Sequence, residues 1–168
     1  MIRIRTFRRT RSVKYRVIVC ALVLLSAGCQ SVGRKEAPEH NRLVTRVVDG
    51  DTIILDSSER VRLIGVDTPE SVDPRRPLQF FGKEATAYTR GLLEGKKVRL
   101  SYEGNKVDHY GRTLAYVYLI DGRLANAEII RDGYGFAYTK YPFSKVDEFR
   151  ALERDARNSG RGLWASRF

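Results

Sequence analysis

Soft metal ligands are scarce in this chain of 168 residues. It holds two cysteines and two histidines, and three of these four, Cys20, Cys29 and His40, lie ahead of residue 42. The chain beyond residue 41 therefore has no disulfide and no thiolate cluster. His109 stands alone there, which argues against a zinc centre or a histidine-based nucleophile. Long apolar runs are also missing. The run at residues 17–25 falls well short of the roughly 20 residues needed to cross a bilayer. No internal repeat or low-complexity stretch is present, so a solenoid is not expected. Without covalent staples, stability has to come from a packed core, and the about 125 residues after position 41 suffice for one.

Positive charge is what the chain has in excess, with 31 Lys and Arg against 20 Asp and Glu and a net charge of +11. Seven of these cations, Arg3, Arg5, Arg8, Arg9, Arg11, Lys14 and Arg16, precede the apolar run, and Ser26-Ala27-Gly28-Cys29 follows it. A charged segment, a short apolar core and small residues before a cut form the layout of a secretory signal. Small residues directly before a cysteine also resemble the lipobox of bacterial lipoproteins, although Ser26 stands where leucine is commonest. The expected organisation is a signal at 1–28, lipidation at Cys29, a flexible polar tether over 29–41 and one domain over 42–168. Cleavage by the ordinary signal peptidase and retention as an uncleaved anchor are the competing readings. Gln30 after the cysteine points toward the outer membrane. Removing 1–28 takes away seven positive and no negative charges, leaving 24 against 20, or +4. That is a mild preference for a polyanionic partner, and a monomer is the default state.

Periodicity predicts strands over 42–48, 52–55, 60–66, 97–102 and 113–120. The first two are joined by an Asp49-Gly50 turn, which tolerates positive φ. Helices are predicted over 80–93, with Phe81, Ala85, Tyr88 and Leu92 inward, over 124–131, and over 144–158. The last is expected to start with a capping box of Ser144 and Asp147 and to bury Val146, Phe149, Leu152 and Ala156. Pro69, Pro74 and Pro77 exclude regular structure between residues 67 and 78. The class is α+β, mainly β, and the order suits a five-stranded OB-fold barrel with three packed helices.

Asp49, Asp51, Asp67 and Glu70 flank a strand pattern that carries Arg62 between Val61 and Leu63, pointing to the opposite face. Hard oxygen donors suit Ca²⁺ or Mg²⁺, and a guanidinium fork suits a phosphate. Together they suggest metal-assisted phosphodiester chemistry. Five ordered motifs sharpen this: V-V-D-G-D-T at 47–52, R-L-I-G-V-D-T-P-E at 62–70, F-G-K-E-A at 81–85, D-H-Y-G-R-T-L-A-Y-V at 108–117 and G-L-W at 162–164. In order and spacing, over residues 42–164, they resemble the thermonuclease family, the staphylococcal nuclease homologues.

That resemblance implies Ca²⁺ held by Asp51, Asp67 and the backbone carbonyl of Thr68, with Asp49 as a supporting carboxylate. It implies that Glu70 orients or deprotonates the attacking water, that Arg62 and Arg112 bind the scissile phosphate, and that Tyr110 and Tyr138 contact the nucleotide. DNA and RNA would be the substrates, preferably single-stranded, cut at the 5′-O–P bond. The chemistry is coherent in itself: a hard cation polarises the phosphoryl oxygen, guanidinium groups meet the equatorial oxygens and a carboxylate handles the water. Each residue also has a plain structural reading. Asp49 suits a hairpin turn, D-T-P-E a helix start, Arg62 a solvated edge, Tyr138 a packed aromatic, and Arg75 and Arg76 a solvated loop. His109 stands where the family often has lysine, and Lys140 where many members have a second aromatic. Two other classes remain open: a non-catalytic nucleic-acid-binding OB-fold lipoprotein, and an envelope interaction lipoprotein with an exposed apolar patch.

Overall fold

The computed structural model describes residues 41–71 and 79–165. The leader, the tether, Cys29, Arg75 and Arg76 lie outside the described residues. Five strands close a barrel: β1 (Arg42–Asp49), β2 (Thr52–Leu55), β3 (Arg60–Leu63), β5 (Lys97–Ser101) and β6 (Thr113–Leu119), in the order β1-β2-β3-β6-β5. Closure leaves no free edge among these strands. The first three form the expected antiparallel meander, and β3 runs parallel to β6, with Arg62 beside Leu114. Alternation fills the interior: Val44, Val47, Ile53, Leu55, Val61, Leu63, Val98 and Val117 are buried in one core. Burying an aliphatic side chain of this size stabilises the fold by about 1.5–3 kcal/mol.

The predicted strand over 60–66 divides in two. Gly65 turns the chain at φ +71°, and a Cβ there would lie 2.7 Å from the Phe143 ring and 2.9 Å from Phe149. Only glycine allows both that backbone and that approach. Beyond it, β4 (Val66–Asp67) leaves the barrel and pairs antiparallel with β7 (Phe136–Ala137), a strand the periodicity did not reveal because two residues carry no period. Gly50 does not use the freedom that its turn tolerates. Its φ is not positive; its need for glycine is steric, since a Cβ would lie 2.7 Å from Thr68 Oγ1.

Three helices pack on the barrel: α1 (Gly82–Leu93), α2 (Ala125–Arg131) and α3 (Val146–Asn158). The buried face of α1 is Gly82, Ala85, Thr86, Thr89 and Leu93, whereas Phe81, Tyr88 and Leu92 are only partly covered. Two threonines hid this face from an apolar pattern. In α3, Phe149 and Ala156 are buried and Val146 and Leu152 pack at the margin. The expected capping box does not form. Lys145 occupies the N-cap without a side-chain bond, and Ser144 instead donates both its N–H (2.7 Å) and its hydroxyl (2.8 Å) to Glu103. Glu103, just past β5, takes the Ser144 N–H that Asp147 would accept in a capping box and also turns the Ser144 hydroxyl into a donor. No helix among the described residues is long and apolar enough to cross a membrane.

Candidate active site

Asp51 of the D-G-D-T motif and Asp67 of the D-T-P-E motif meet at Arg62, where the β1–β2 turn bonds to Thr68 just beyond β4. Asp51 is almost wholly buried, and its carboxylate is fully engaged. Oδ1 accepts the Thr52 hydroxyl at 2.9 Å and pairs with Arg62, while Oδ2 accepts the N–H (3.1 Å) and hydroxyl (3.2 Å) of Thr68. These contacts use the four acceptor positions of a carboxylate. They also tie the turn to the D-T-P-E segment across 17 residues.

Arg62 projects from the barrel face opposite Val61 and Leu63, as the strand pleat requires. Its guanidinium spans the two halves of the site, pairing with Asp51 and donating to Asp67 (3.0 Å) and to the Val66 carbonyl (3.2 Å). Burial works against its charge, but the two carboxylates outweigh burial and raise its pKa. Asp67 titrates above its ordinary range. Partial burial is the main cause, Asp51 and Glu70 add to it, and Arg62 offsets only part. Asp49 is raised for the same reasons, by burial first and then by Asp51 and Glu70. The neighbouring carboxylates of Asp51 and Glu70 thus add to burial in raising both Asp49 and Asp67.

Asp51, Asp67 and the Thr68 carbonyl are hard oxygen donors and fit Ca²⁺ or Mg²⁺ in kind, although Asp51 would have to exchange its Arg62 or Thr68 contact for the ion. Among the described residues no three carboxylate, histidine or cysteine side chains converge as a metal-holding group. Arg62 lies between the acids, paired with Asp51 and hydrogen-bonded to Asp67.

Behind Asp51 lies a network that a motif search overlooks. Asp49 Oδ1 accepts the Gly50 N–H (2.8 Å), the Ser71 hydroxyl (2.9 Å) and the Thr86 hydroxyl (3.2 Å), and Thr89 donates to the Gly50 carbonyl at 2.7 Å. Helix α1 therefore holds the turn and the segment bearing Glu70 at once. The Glu70 carboxylate accepts the Ser71 N–H at 3.1 Å, and Gln79 brackets its backbone on both sides.

Arg112 enters from the strand next to Arg62, immediately before Thr113, which pairs with Val61. Asp108 folds the loop around it. Its Oδ1 accepts the N–H groups of Tyr110 and Arg112 at 2.9 Å each, and its Oδ2 takes Arg112 Nε at 2.8 Å and Nη2 at 2.7 Å. Burial opposes ionisation of Asp108, yet these donors hold its pKa below the ordinary value. Asp108 is the residue that sequence reasoning missed; an Asp two positions before an exposed Tyr-Gly-Arg is the signal for such a turn. Tyr110 is 72% exposed and lies 5.2 Å from the Arg112 guanidinium, with the His109 ring 3.8 Å away. Tyr138 is half-buried and donates its N–H to the Gly65 carbonyl at 2.9 Å. Arg62, Arg112, Tyr110 and Tyr138 all line one cavity of ≈ 1060 Å³ between β3 and the segment after β7. Asp51, Asp67, Thr68 and Glu70 do not line it; Asp51 and Asp67 are joined to it through Arg62.

Residues 60–166 match the Staphylococcal nuclease homologue family. The chain belongs to that family. A thermonuclease of Staphylococcus hyicus is 37% identical over 161 residues, covering 89% of this chain and 95% of the relative. A thermonuclease of Staphylococcus intermedius is 43% identical over 129 residues, covering 73% and 74%. Endonuclease YncB of Bacillus subtilis is 32% identical over 146 residues, covering 81% and 69%. The five-stranded barrel with three helices is the fold that this family membership and the strand pattern both called for.

Proposed function

We propose that this chain is an exported, lipid-anchored, Ca²⁺-dependent nuclease acting on single-stranded or unstacked DNA and RNA. Family membership and the thermonuclease and endonuclease relatives support phosphodiester hydrolysis. The observation that carries the reading is Arg62. A guanidinium bound to Asp51 and Asp67 on one side opens on the other to a cavity that also holds Arg112, Tyr110 and Tyr138.

Asp51, Asp67 and the Thr68 carbonyl would hold the ion, and when bound it supplies positive charge at a phosphoryl oxygen. Arg62 and Arg112, from adjacent strands, meet the scissile phosphate and stabilise the charge on its equatorial oxygens as the fifth bond forms. Each guanidinium is held in place by a carboxylate, so little reorganisation is needed when substrate arrives. Glu70 orients water and accepts its proton; the water oxygen bonds to phosphorus while the ester oxygen departs and is protonated by solvent. Tyr110 and Tyr138 hold the nucleotide. The leader pattern at 1–28, Cys29 and the polar stretch 29–41 support export, lipidation and tethering of a domain at 42–168.

The test uses residues 30–168 on single-stranded DNA with Ca²⁺, with Mg²⁺ and with EDTA. Activity that requires Ca²⁺ and falls about 10²–10⁴-fold in Glu70→Gln is expected, the range for removing a general base. Binding without cleavage under every metal would replace this reading by a nucleic-acid-binding module. Mass analysis of the cell-made protein checks for a lipid on Cys29.

A further inference from the structure

The outer face of the barrel carries exposed groups that the site does not use. On β1, Leu43 is 37% exposed and pairs with the exposed Lys97 of β5. Val98 pairs with Leu119, so Ile120, 54% exposed, stands at the next register position, opposite Lys97. A second row crosses three strands: Arg46 of β1, half-buried Ile54 of β2 and Arg60 of β3. The register shift between Val44 and Arg46 leaves Thr45 and Arg46 exposed in succession, so both rows start from one strand. In each row apolar side chains alternate with cations. Arg46, Arg60 and Lys97 have no ion-pair partner among the described residues. The acids nearby are paired elsewhere, Asp56 with Arg42, Asp121 with Arg123 and Glu94 with Arg90.

The start of β1 is fixed where the N-terminal segment arrives. Arg42 Nε donates to Asp56 at 3.0 Å, and its other nitrogens meet Glu59 at 3.2 Å and the Ser57 hydroxyl. Leu43 is the next residue. Residues 30–41 separate Cys29 from Arg42, and covalent geometry limits such a span to about 40 Å whatever its path. A lipid on Cys29 would therefore confine this face to the neighbourhood of a bilayer, at an effective concentration in the millimolar range. At that concentration a patch too weak to recruit a free protein suffices to orient an anchored one. Anionic headgroups complement the cations, and the interfacial layer accepts exposed Leu and Ile side chains. A polynucleotide would meet the same cations but offers nothing to two aliphatic side chains.

Resting on the lipid-anchor reading, we infer that this face docks the domain on a bilayer surface containing anionic phospholipid. Arg46, Arg60 and Lys97 meet headgroup phosphates, while Leu43 and Ile120 enter the interfacial layer. Docking fixes the orientation of an anchored domain without using any residue that lines the cavity. The contact is sensitive to salt, because the Debye length falls from about 8 Å at physiological ionic strength to about 3 Å at 1 M.

The experiment uses the chain as cells export it, placed with vesicles of phosphatidylcholine alone or with about one-third phosphatidylglycerol. Mass analysis first records whether Cys29 carries a lipid. A polarity-sensitive fluorophore on Thr45→Cys reports contact of the face, and one on Asn158→Cys, at the end of α3, is the control. A blue shift at position 45 on the anionic vesicles alone, with none at position 158, is expected. The ratio of docked to undocked label falls about fivefold for Arg46→Gln and for Lys97→Gln, the share of one cation at an anionic surface, while Lys97→Arg keeps it. Ile120→Asn also lowers the ratio, and about 1 M salt removes most of the shift. An unchanged Tm in each variant shows that the fold is intact. A lipidated chain whose label at position 45 stays in water on both vesicles overturns the docking face and leaves the anchor standing. A chain without lipid overturns the anchor; co-sedimentation with the anionic vesicles that Lys97→Gln weakens still upholds the face, and no co-sedimentation overturns both. Variants that lose affinity for single-stranded DNA while keeping the blue shift overturn the membrane surface in favour of a nucleic-acid surface.

Discussion

At the scale of single residues, Arg62 carries most of the functional argument because it makes contacts that a lysine cannot reproduce. It reaches Asp51, Asp67 and the Val66 carbonyl from one planar group. An ammonium offers one point of charge in place of that fork. Arg62→Lys is expected to lower kcat/KM about 10²–10³-fold, the usual effect of removing one preorganised donor from a transition state, and steady-state kinetics on single-stranded DNA measure it. Arg112 depends on its neighbour. Asp108→Asn weakens the charged pair and leaves most loop hydrogen bonds in place, so kcat should fall about tenfold with a small change in Tm. A collapse of Tm instead would make Asp108 a purely structural residue. The motif string disclosed both arginines, yet not what holds them, since a partner four residues away is visible only once the loop is folded.

At the scale of elements, the site is assembled by hydrogen bonds that reach across the barrel. Asn126 on α2 is fully buried; its Oδ1 accepts the Val117 N–H at 2.9 Å and its Nδ2 donates to the Ile64 carbonyl at 2.9 Å. Ile64 directly precedes the Gly65 turn that swings Asp67 out of the barrel. Asn126→Ala leaves those buried backbone groups unsatisfied, and a loss of about 1–3 kcal/mol is expected in urea unfolding. Glu103 has an analogous role for α3, accepting from Ser144 and, at 2.7 Å, from the Tyr116 hydroxyl. Burial disfavours its ionised form, but these donors more than compensate and lower its pKa. A lowered carboxylate contributes stability above its unfolded value of about 4.3, and this is lost as pH falls through the lower folded value. Glu103→Gln should therefore reduce Tm at pH 7 and narrow the gap in Tm between neutral and acidic solution. An unchanged gap would show that Glu103 is not linked to folding. Strands and helices were legible because barrel faces alternate. The short β4–β7 pair, the threonine face of α1 and the cap supplied by Glu103 were not, since each depends on a partner distant in sequence.

At the scale of the whole molecule, closure turns a meander and a returning pair of strands into a rigid frame with one functional side. The C-terminal end completes it. Leu163 donates to the Gly133 carbonyl at 2.8 Å, and Trp164 lies 4.1 Å from the Arg157 guanidinium and edge-on to Phe136 at 5.4 Å. Phe136 is the β7 partner of Asp67. Truncation after Asn158 is expected to cost roughly 2 kcal/mol, the scale of one lost aromatic contact, and to lower activity through β4. Calorimetry and cleavage assays on the truncated chain check both. A truncated chain with full activity would separate the tail from the site.

The sequence by itself determined the barrel and the family, and it nominated the groups proposed to react. Alternation at period two, turn chemistry and motif order are local properties, and local properties survive in a linear string. Tertiary structure alone decided how those groups are held. The pairing of Arg62 with Asp51 and Asp67, the anchoring of Arg112 by Asp108, the steric demand for glycine at 50 and the row of Leu43, Lys97 and Ile120 all join separate chain segments or depend on the folded path of a loop. Such contacts come from closure and packing, and no periodicity encodes them.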